Sequence, residues 1–193
     1  MTHRAPTDML ADEKRTLGNE YGTAFCHCKQ ELWRIAESWD RYEALFCTTE
    51  RVEILNASGG HFWGSVQSIL FDHVLLGICR LTDKHDMRSG KNVSVEMLGK
   101  LDTKQHNKRL HQRISQAKKK CSFARSWRDK RIAHNDYLQM VGPVNLLGKA
   151  TRRRVTSAIV SIHEVLRWVQ QKHFDGDMML YEMGDSSTLS VLS

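Results

Sequence analysis

The sequence predicts an all-α protein, a bundle of about five to six helices, on three observations. Only two prolines, Pro6 and Pro143, occur in 193 residues, so long stretches run without a helix breaker. Apolar residues recur at spacings of three and four, and no alternating strand pattern stands out. Hydrophobic residues make up 40% and charged residues 26% of the chain, as in an ordinary globular domain. We therefore expect a helical domain over residues 20–175, an N-terminal extension over 1–19 and a polar tail over 176–193.

The first half of the chain carries three helical segments. The first covers about residues 13–46, and its apolar stripe consists of Leu32, Ile35, Trp39, Tyr42 and Phe46. The second covers residues 49–57, with Thr48 or Thr49 as N-cap, and ends where Ser58-Gly59-Gly60 breaks the chain. The third covers residues 61–83 and is apolar around most of its circumference, which predicts a helix buried centrally in the bundle.

A narrow polar stripe interrupts this third helix. It consists of Ser65, Ser68, Asp72, Arg80 and Asp83, which fall within about 120° around an ideal helix. Because buried charges usually need partners, we expect the stripe to face a polar groove or other charges. The alternative is an ion pair between Arg80 and Asp83, three residues apart on the helix.

The second half predicts a charged loop over residues 84–92, a short helix capped at Ser94, a long basic helix over 103–132 and a last helix over 150–174. The apolar face of the basic helix steps by three and four residues through Leu110, Ile114, Ala117, Cys121 and Ala124. The next step lands on Arg128. An arginine at the end of a core-facing stripe breaks the local pattern, which is where function or strain is expected. The alternative is a side chain that extends to solvent over apolar surface.

The nine residues from Arg128 to Asp136 make the most specific chemical claim in the chain. Arginine is a permanent cation suited to phosphate, and histidine moves protons near neutral pH. His134 lies roughly 120° from Arg128 on an ideal helix, so a shared site requires either a helix that loosens near His134 or a second subunit. Asp129 and Asp136 are candidates to orient a cation or the imidazole. Chemistry on a phosphodiester is the hypothesis, and a purely structural tie to the Asp72–Asp83 stripe is the alternative.

The motif Arg128-Asp129-x4-His134 resembles the signature of HEPN domains, in which an arginine and a polar residue precede a histidine by a short spacing. The continuation Ala-His-Asn-Asp is similar to the abortive-infection U-type branch of that superfamily. So is the apolar helix that closes with Arg80-Leu81-Thr82-Asp83. The resemblance covers roughly residues 20–175 and implies a HEPN-like helical bundle that dimerises.

The resemblance also implies an activity: a metal-independent endoribonuclease, acting as a toxin or in phage defence, with an Arg–His pair at a dimer cleft. Arg128 is then expected to stabilise charge on the scissile phosphate and His134 to act as general acid or base, leaving a 2′,3′-cyclic phosphate. The supporting residues are Asp129, Asp136, Arg80 and Asp83. The implied partners are RNA, a second copy of the chain and, for a toxin, an antitoxin protein. Some HEPN proteins only bind RNA or nucleotides, so a non-catalytic binding module is the alternative function.

The charge balance favours a polyanionic partner. The net charge is +7 and the sequence pI about 9.3, which fits RNA. Two basic clusters stand out, Arg152-Arg153-Arg154 and the set predicted to bind RNA phosphates near Arg128, which consists of Lys118, Lys119, Lys120 and Arg125. The alternative for both clusters is a solvated helix face.

No metal or cofactor is expected. Cys26 and Cys28 flank His27, but on a helix they face opposite ways, and no second ligand pair follows. The chain carries no Gly-rich phosphate loop and no nucleophile elbow. The N-terminus does not predict a signal peptide, and we expect no segment to span a bilayer. A cytoplasmic protein without membrane contact is therefore predicted.

Overall fold

The computed structural model describes residues 6–87, 90–102, 108–132 and 149–178. These residues form seven α-helices, one π-helical turn and one two-stranded hairpin, which confirms the all-α prediction. The elements are α1 (Pro6–Leu17), α2 (Asn19–Phe46), α3 (Thr49–Thr82), β1 (Asp86–Met87), β2 (Gly90–Lys91), α4 (Val95–Leu101), α5 (Lys108–Lys120), α6 (Ser122–Trp127), the π-helical turn (Arg128–Ile132) and α7 (Arg152–His173).

The core lies where α2, the last part of α3, α5 and α7 meet. The predicted apolar stripes of α2 and of the basic segment both face it, and their central members are inaccessible to solvent: Leu32, Ile35, Leu110, Ala117, Cys121 and Ala124. Trp39 on α2 adds a polar link, because its indole Nε1–H donates to the Thr156 hydroxyl on α7 at 3.0 Å.

The predicted first helix is two helices. Gly18 adopts a left-handed φ of 87°, which only glycine accepts readily, and the chain turns there between α1 and α2. Lys29 and Glu13 form a buried ion pair between these helices. The backbones approach closely at Gly22, where an added Cβ would lie 2.5 Å from the Glu13 carbonyl oxygen. Residues that the sequence set apart as an extension therefore pack on the domain.

The long helix α3 corrects two expectations. Thr48 caps it by accepting from the Arg51 amide at 3.3 Å, but the helix continues through a kink at Gly59 (φ 157°, ψ 64°) instead of breaking at Ser58–Gly60. Central burial was also wrong for its first part, because Phe62 is 63% and Ile69 67% exposed.

The reason lies in the pairing of α2 with α3. Tyr42 contacts Phe71, and Glu31 binds Arg80, so the two helices run antiparallel. Because α2 ends at Phe46, four residues after Tyr42, the antiparallel contact stops about one turn before Phe71. The residues of α3 between the kink at Gly59 and that point therefore extend beyond the end of α2.

Helix α3 is also long and apolar enough, by length and composition, to cross a membrane. Residues 54–71 contain no Asp, Glu, Lys or Arg, which departs from the expectation that no such segment exists. The segment includes three glycines and several polar side chains. Length and composition alone do not distinguish a membrane span from a helix that packs in a soluble bundle.

The predicted basic helix over residues 103–132 is interrupted. Residues 103–107 lie outside the described part of the chain, and the remainder divides into α5, α6 and the π-helical turn. The break between α5 and α6 falls at Cys121, whose amide still donates to the Ala117 carbonyl at 2.9 Å. The predicted charged loop over residues 84–92 contains the short hairpin, in which Asp86 pairs with Lys91 and Met87 with Gly90.

Candidate active site around Arg128

Arg128 begins the π-helical turn and is held by two carboxylates. Its Nη1 donates to Asp83 Oδ2 at 2.6 Å and its Nε to Asp129 Oδ1 at 2.8 Å. The side chain is 28% exposed, so it neither lies in the core nor extends freely into solvent. Burial lowers the pKa of Arg128, but the hydrogen bond to Asp129 and the charge of Asp83 raise it above its usual value. The guanidinium is therefore a fixed, permanent cation.

Asp83 connects three elements at the end of α3. Its backbone N–H donates to the Cys79 carbonyl at 2.8 Å and terminates the helix. Its backbone carbonyl accepts from the Ser94 hydroxyl at 2.9 Å. Ser94 therefore does not cap α4 with its side chain, as the sequence suggested, but fastens α4 to the end of α3. This leaves the Asp83 carboxylate for Arg128.

Arg80 does not pair with Asp83. Its Nε donates to Glu31 Oε1 on α2 at 2.8 Å, so the ion pair within α3 was a wrong alternative. The broader prediction, that the polar stripe meets other charges, holds for both residues. Arg80 pairs with α2 and Asp83 with Arg128 of the π-helical turn. Spacing within α3 alone could not indicate either partner.

Arg125 fastens α6 to two other helix ends. Its Nη1 donates to the Thr82 hydroxyl at 3.1 Å and its Nη2 to the Lys118 carbonyl at 2.8 Å. Thr82 in turn donates to the Ile78 carbonyl at 2.7 Å. Arg125 was predicted to contact RNA, but here its guanidinium binds protein acceptors and helps to place the segment that carries Arg128.

The helix loosens at the site. π-Helical turns, which have i→i+5 hydrogen bonds, are rare in proteins, and those that occur often lie at functional sites. The turn in this chain covers Arg128–Ile132, directly before the segment in which the sequence required a loosened helix. His134 and Asp136, the other predicted site residues, lie outside the described part of the chain, as do Ala133 and Asn135.

Trp127 packs beside the site. Its ring meets Phe71 edge-on, with centroids 5.6 Å apart, and Phe71 lies 5.6 Å from Tyr42. These contacts place Trp127 in an aromatic cluster that joins α6 to α3 and α2.

The predicted lysine cluster divides. Lys118 forms an ion pair with Glu96 of α4, whereas Lys119 and Lys120 are exposed. These two lysines line a cavity of about 500 Å³ together with Gln116, Arg153, Arg154 and Ser157. The sequence predicted no RNA contact for Arg153 and Arg154. The feature that could have indicated one is the run of three arginines at a helix start, where positive charge is unfavourable.

The described residues contain no group of three or more His, Cys, Asp or Glu side chains placed to hold a metal ion. Cys26 and Cys28 are both buried, and burial raises their pKa values to about 11 and about 12. Burial likewise raises the pKa of Cys79, next to Arg128, to about 11, although Arg128 itself lowers it. These thiols stay protonated near neutral pH, which makes them poor nucleophiles and metal ligands.

The fold is a helical bundle, and the sequence of its basic segment leads into the Arg-Asp-x4-His motif. Together these two features define the class of the protein, a HEPN-type helical domain. Within that class, the family model of the AbiU2 branch of HEPN domains matches residues 15–192, and the chain belongs to this family. Comparison with curated proteins and with solved structures gives no match. Membership supports a HEPN-type ribonuclease or defence module.

Proposed function

We propose that the protein is a metal-independent endoribonuclease of HEPN type that acts in the cytoplasm, as a toxin or in phage defence. One observation supports this most directly. Arg128, the arginine of the family motif, is held partly buried at a π-helical turn by Asp83 and Asp129. A cation whose orientation is fixed before substrate arrives loses little entropy and reorganisation energy on binding a phosphate.

Arg128 keeps N–H donors that Asp83 and Asp129 do not use and that a substrate can engage. Guanidinium has five N–H donors, and Asp83 and Asp129 engage one each. The remaining donors on Nη1 and Nη2 suit the paired oxygens of a phosphodiester. Two carboxylates beside one guanidinium leave the local charge negative, however, so an incoming phosphate needs a further cation. The motif supplies one in His134 when its imidazole is protonated.

The proposed reaction is an internal transfer. One histidine takes the proton of the RNA 2′-hydroxyl, whose oxygen attacks the neighbouring phosphorus, and a protonated histidine gives a proton to the departing 5′-oxygen. The P–O5′ bond breaks, and the products are a 2′,3′-cyclic phosphate and a 5′-hydroxyl. Arg128 stabilises the negative charge that develops on the phosphate oxygens. Acid and base are assigned to His134 of two subunits.

We propose a homodimer accordingly, formed through the exposed apolar stripe of α3. Phe62 and Ile69 are seven residues apart, about two turns, and so lie on one side of the helix, with the partly exposed Val66 between them. Clustered exposed apolar side chains are typical of interaction surfaces. For a toxin, an antitoxin protein is the other candidate for this surface.

The test is RNA cleavage in EDTA by the wild type and by Arg128→Ala and His134→Ala. We expect each substitution to lower the cleavage rate at least 100-fold, which is the usual effect of losing an electrostatic stabiliser or a general acid–base group. Lys172→Ala, which removes an exposed cation at the end of α7, is the matched control and should cleave normally. Equal rates in all four proteins would contradict the assignment.

A non-catalytic RNA-binding module is the second candidate. The two carboxylates on Arg128 favour it, since they already neutralise the cation that catalysis needs. It predicts RNA binding that weakens with salt, with no chain scission in the wild type at any protein concentration.

A further inference from the structure

A basic groove runs between α5 and α7, separate from the carboxylates that hold Arg128. Its cavity of about 500 Å³ is lined by Gln116, Lys119, Lys120, Arg153, Arg154 and Ser157. Four of these six side chains are cations, and none is a carboxylate. The groove combines one helix of the predicted basic segment with the start of the last helix, two parts of the chain more than 30 residues apart.

The groove concentrates charge that is unpaired. Nearby cations are neutralised, as in the pairs Lys118–Glu96, Arg113–Glu164 and Arg152–Glu43. Within the described residues, no carboxylate lies within ion-pair distance of Lys119, Lys120 or Arg153. Like charges that share a surface without counter-charges repel one another. That cost is relieved when a polyanion binds.

Arg154 is already oriented. Its Nη1 donates to the Lys149 carbonyl at 3.0 Å, and its guanidinium carbon lies 4.7 Å from the centroid of the Phe123 ring. Phe123 is itself buried, so the ring is a fixed platform for the cation. A guanidinium held in this way has donors left over and loses little rotamer freedom when it binds a phosphate.

The start of α7 adds to the attraction for anions. The positive end of a helix dipole favours acidic residues in the first turn and disfavours basic ones. Here the first turn is Arg152-Arg153-Arg154 and contains no acid. Thr151 caps it through the Arg154 amide at 3.4 Å, and Glu43 offsets Arg152 alone. The arrangement opposes helix stability but suits a bound anion.

We propose that this groove binds the sugar–phosphate backbone of RNA and guides the chain toward Arg128. The identity of the polyanion rests on the proposed function. Cations from two helices around an open groove fit successive phosphates better than one enclosed anion, and Gln116 and Ser157 offer hydrogen bonds to ribose hydroxyls. Phe123 precedes Arg128 by five residues, about 7 Å along a helix axis. The binding residues are thus Lys119, Lys120, Arg153 and Arg154, without Lys118 and Arg125.

The experiment measures binding of a labelled single-stranded RNA to the full chain by fluorescence anisotropy, between about 50 and 200 mM salt. All proteins carry Arg128→Ala, so that cleavage does not intrude. The groove variant is Lys119→Gln/Lys120→Gln/Arg153→Gln, which leaves the packed Arg154 intact. The control is Lys108→Gln/Arg109→Gln/Lys172→Gln, which removes the same charge from exposed positions outside the groove.

We expect the groove variant to bind at least 10-fold more weakly, with a salt slope lower by about 2, since each lost phosphate contact on a single strand removes about 0.7. The control should change affinity less than about threefold. Unchanged binding in the groove variant, or equal weakening in both, would overturn the proposal, as would an Arg128→Ala parent with no RNA affinity. If circular dichroism shows that the triple variant does not fold, Lys119→Gln/Lys120→Gln gives the same comparison.

The result separates the groove from the catalytic assignment. If cleavage requires neither Arg128 nor His134 but the groove variant still loses RNA, the proposed nuclease site is wrong and the groove stands. If cleavage requires both residues while the groove variant binds RNA as tightly as its Arg128→Ala parent, the groove alone is wrong.

Discussion

Arg128 and Asp83 are 45 positions apart in the chain and meet through one hydrogen bond of 2.6 Å. The contact joins the end of α3 to the π-helical turn, so Asp83 has a structural role that does not depend on the proposed activity of Arg128. It also fixes which edge of the guanidinium is occupied. The structural and the catalytic hypotheses for Arg128 are therefore compatible, and stability measurements test the first without reference to activity.

Asp83→Ala should lower the free energy of unfolding by about 1–3 kcal/mol, because it leaves a partly buried arginine without its main partner. Asp129→Ala should cost less than about 1 kcal/mol, because Asp129 is 60% exposed and solvent screens its charge. Urea denaturation of both variants checks the order. A larger loss in Asp129→Ala would show that Asp83 is not the residue that holds Arg128.

Asp40 gives the chain a predicted pH dependence. Burial, with the charges of Glu43 and Glu37, raises the pKa of Asp40 from 3.8 to about 6. The folded state then binds the proton more tightly than the unfolded state, so stability is present at low pH and is lost as pH rises through about 6.

Asp40→Asn should therefore stabilise the protein at pH 7.5 and lose that advantage below about pH 4. Because Asp40 is only half-buried, we expect a gain of at most about 1 kcal/mol, well below what the full shift would give. Thermal unfolding at pH 4, 6 and 7.5 measures it, with Asp175→Asn at an exposed carboxyl as control. A gain that is the same at every pH would count against the raised pKa.

At the scale of elements, α3 has two different parts. Near its C-terminus it packs closely on α2: an added Cβ at Gly77 would lie 2.5 Å from Ile35 Cγ1, and Ile35 is fully buried. Earlier in the helix, an added Cβ at Gly64 would have no atom within 4 Å. The same substitution should therefore have opposite effects at two positions of one helix.

Gly77→Ala should destabilise the protein by about 1–3 kcal/mol, since overpacking against Ile35 exceeds the gain in helix propensity. Gly64→Ala should stabilise it by up to about 1 kcal/mol, because only the propensity changes. Urea unfolding of both variants provides the comparison. Stabilisation by both substitutions would mean that α2 and α3 do not pack at Gly77.

Across the whole molecule, three surfaces differ in charge and polarity. Asp83 and Asp129 pair with Arg128, the groove between α5 and α7 is lined by cations that have no carboxylate partner among the described residues, and α3 exposes an apolar stripe. The net charge of +7 is thus unevenly spread. A dimer through the stripe would bury Phe62 and Ile69, which are otherwise costly to expose to water.

Ile69→Glu should shift the protein from dimer to monomer, because it places two charges in a self-complementary apolar contact. Val160→Glu is the matched control: it alters another exposed apolar residue, 40% exposed, on α7. Analytical ultracentrifugation of both variants and the wild type measures the change. A monomeric wild type, or a dimer that tolerates Ile69→Glu, would contradict the proposed interface.

Much of the fold could be predicted from local patterns. The stripes Leu32–Ile35–Trp39 and Leu110–Ala117–Ala124 identified the buried faces of α2 and of the basic segment, because burial of one helix face imposes a helical period on its apolar residues. Arg128 stood out for the same reason, since it interrupts the apolar stripe of the basic segment at a position where the helical period requires an apolar residue. Residue type and position predicted Thr48 or Thr49 as the cap of α3, and the structure assigns it to Thr48.

Partners distant in the chain could not be predicted. The spacing within α3 suggested an ion pair between Arg80 and Asp83. In the structure Arg80 pairs with Glu31 on α2, and Asp83 pairs with Arg128. Spacing likewise did not indicate that Lys118 pairs with Glu96, or that the Arg125 guanidinium donates to Thr82 and to the Lys118 carbonyl. Hydrogen bonds and ion pairs form with whichever group the packing brings within about 3 Å.

From the sequence it follows that the chain is helical, which faces of α2 and of the basic segment are buried, and that the chain carries the Arg-Asp-x4-His motif that resembles the HEPN signature. These properties depend on residue type and short-range period, both of which are local. Three further properties required the folded chain: which carboxylates hold Arg128, the exposure of Phe62 and Ile69 on α3, and the groove that Lys119 and Lys120 share with Arg153 and Arg154. Those properties depend on how helices cross, which the packing of side chains from distant segments fixes.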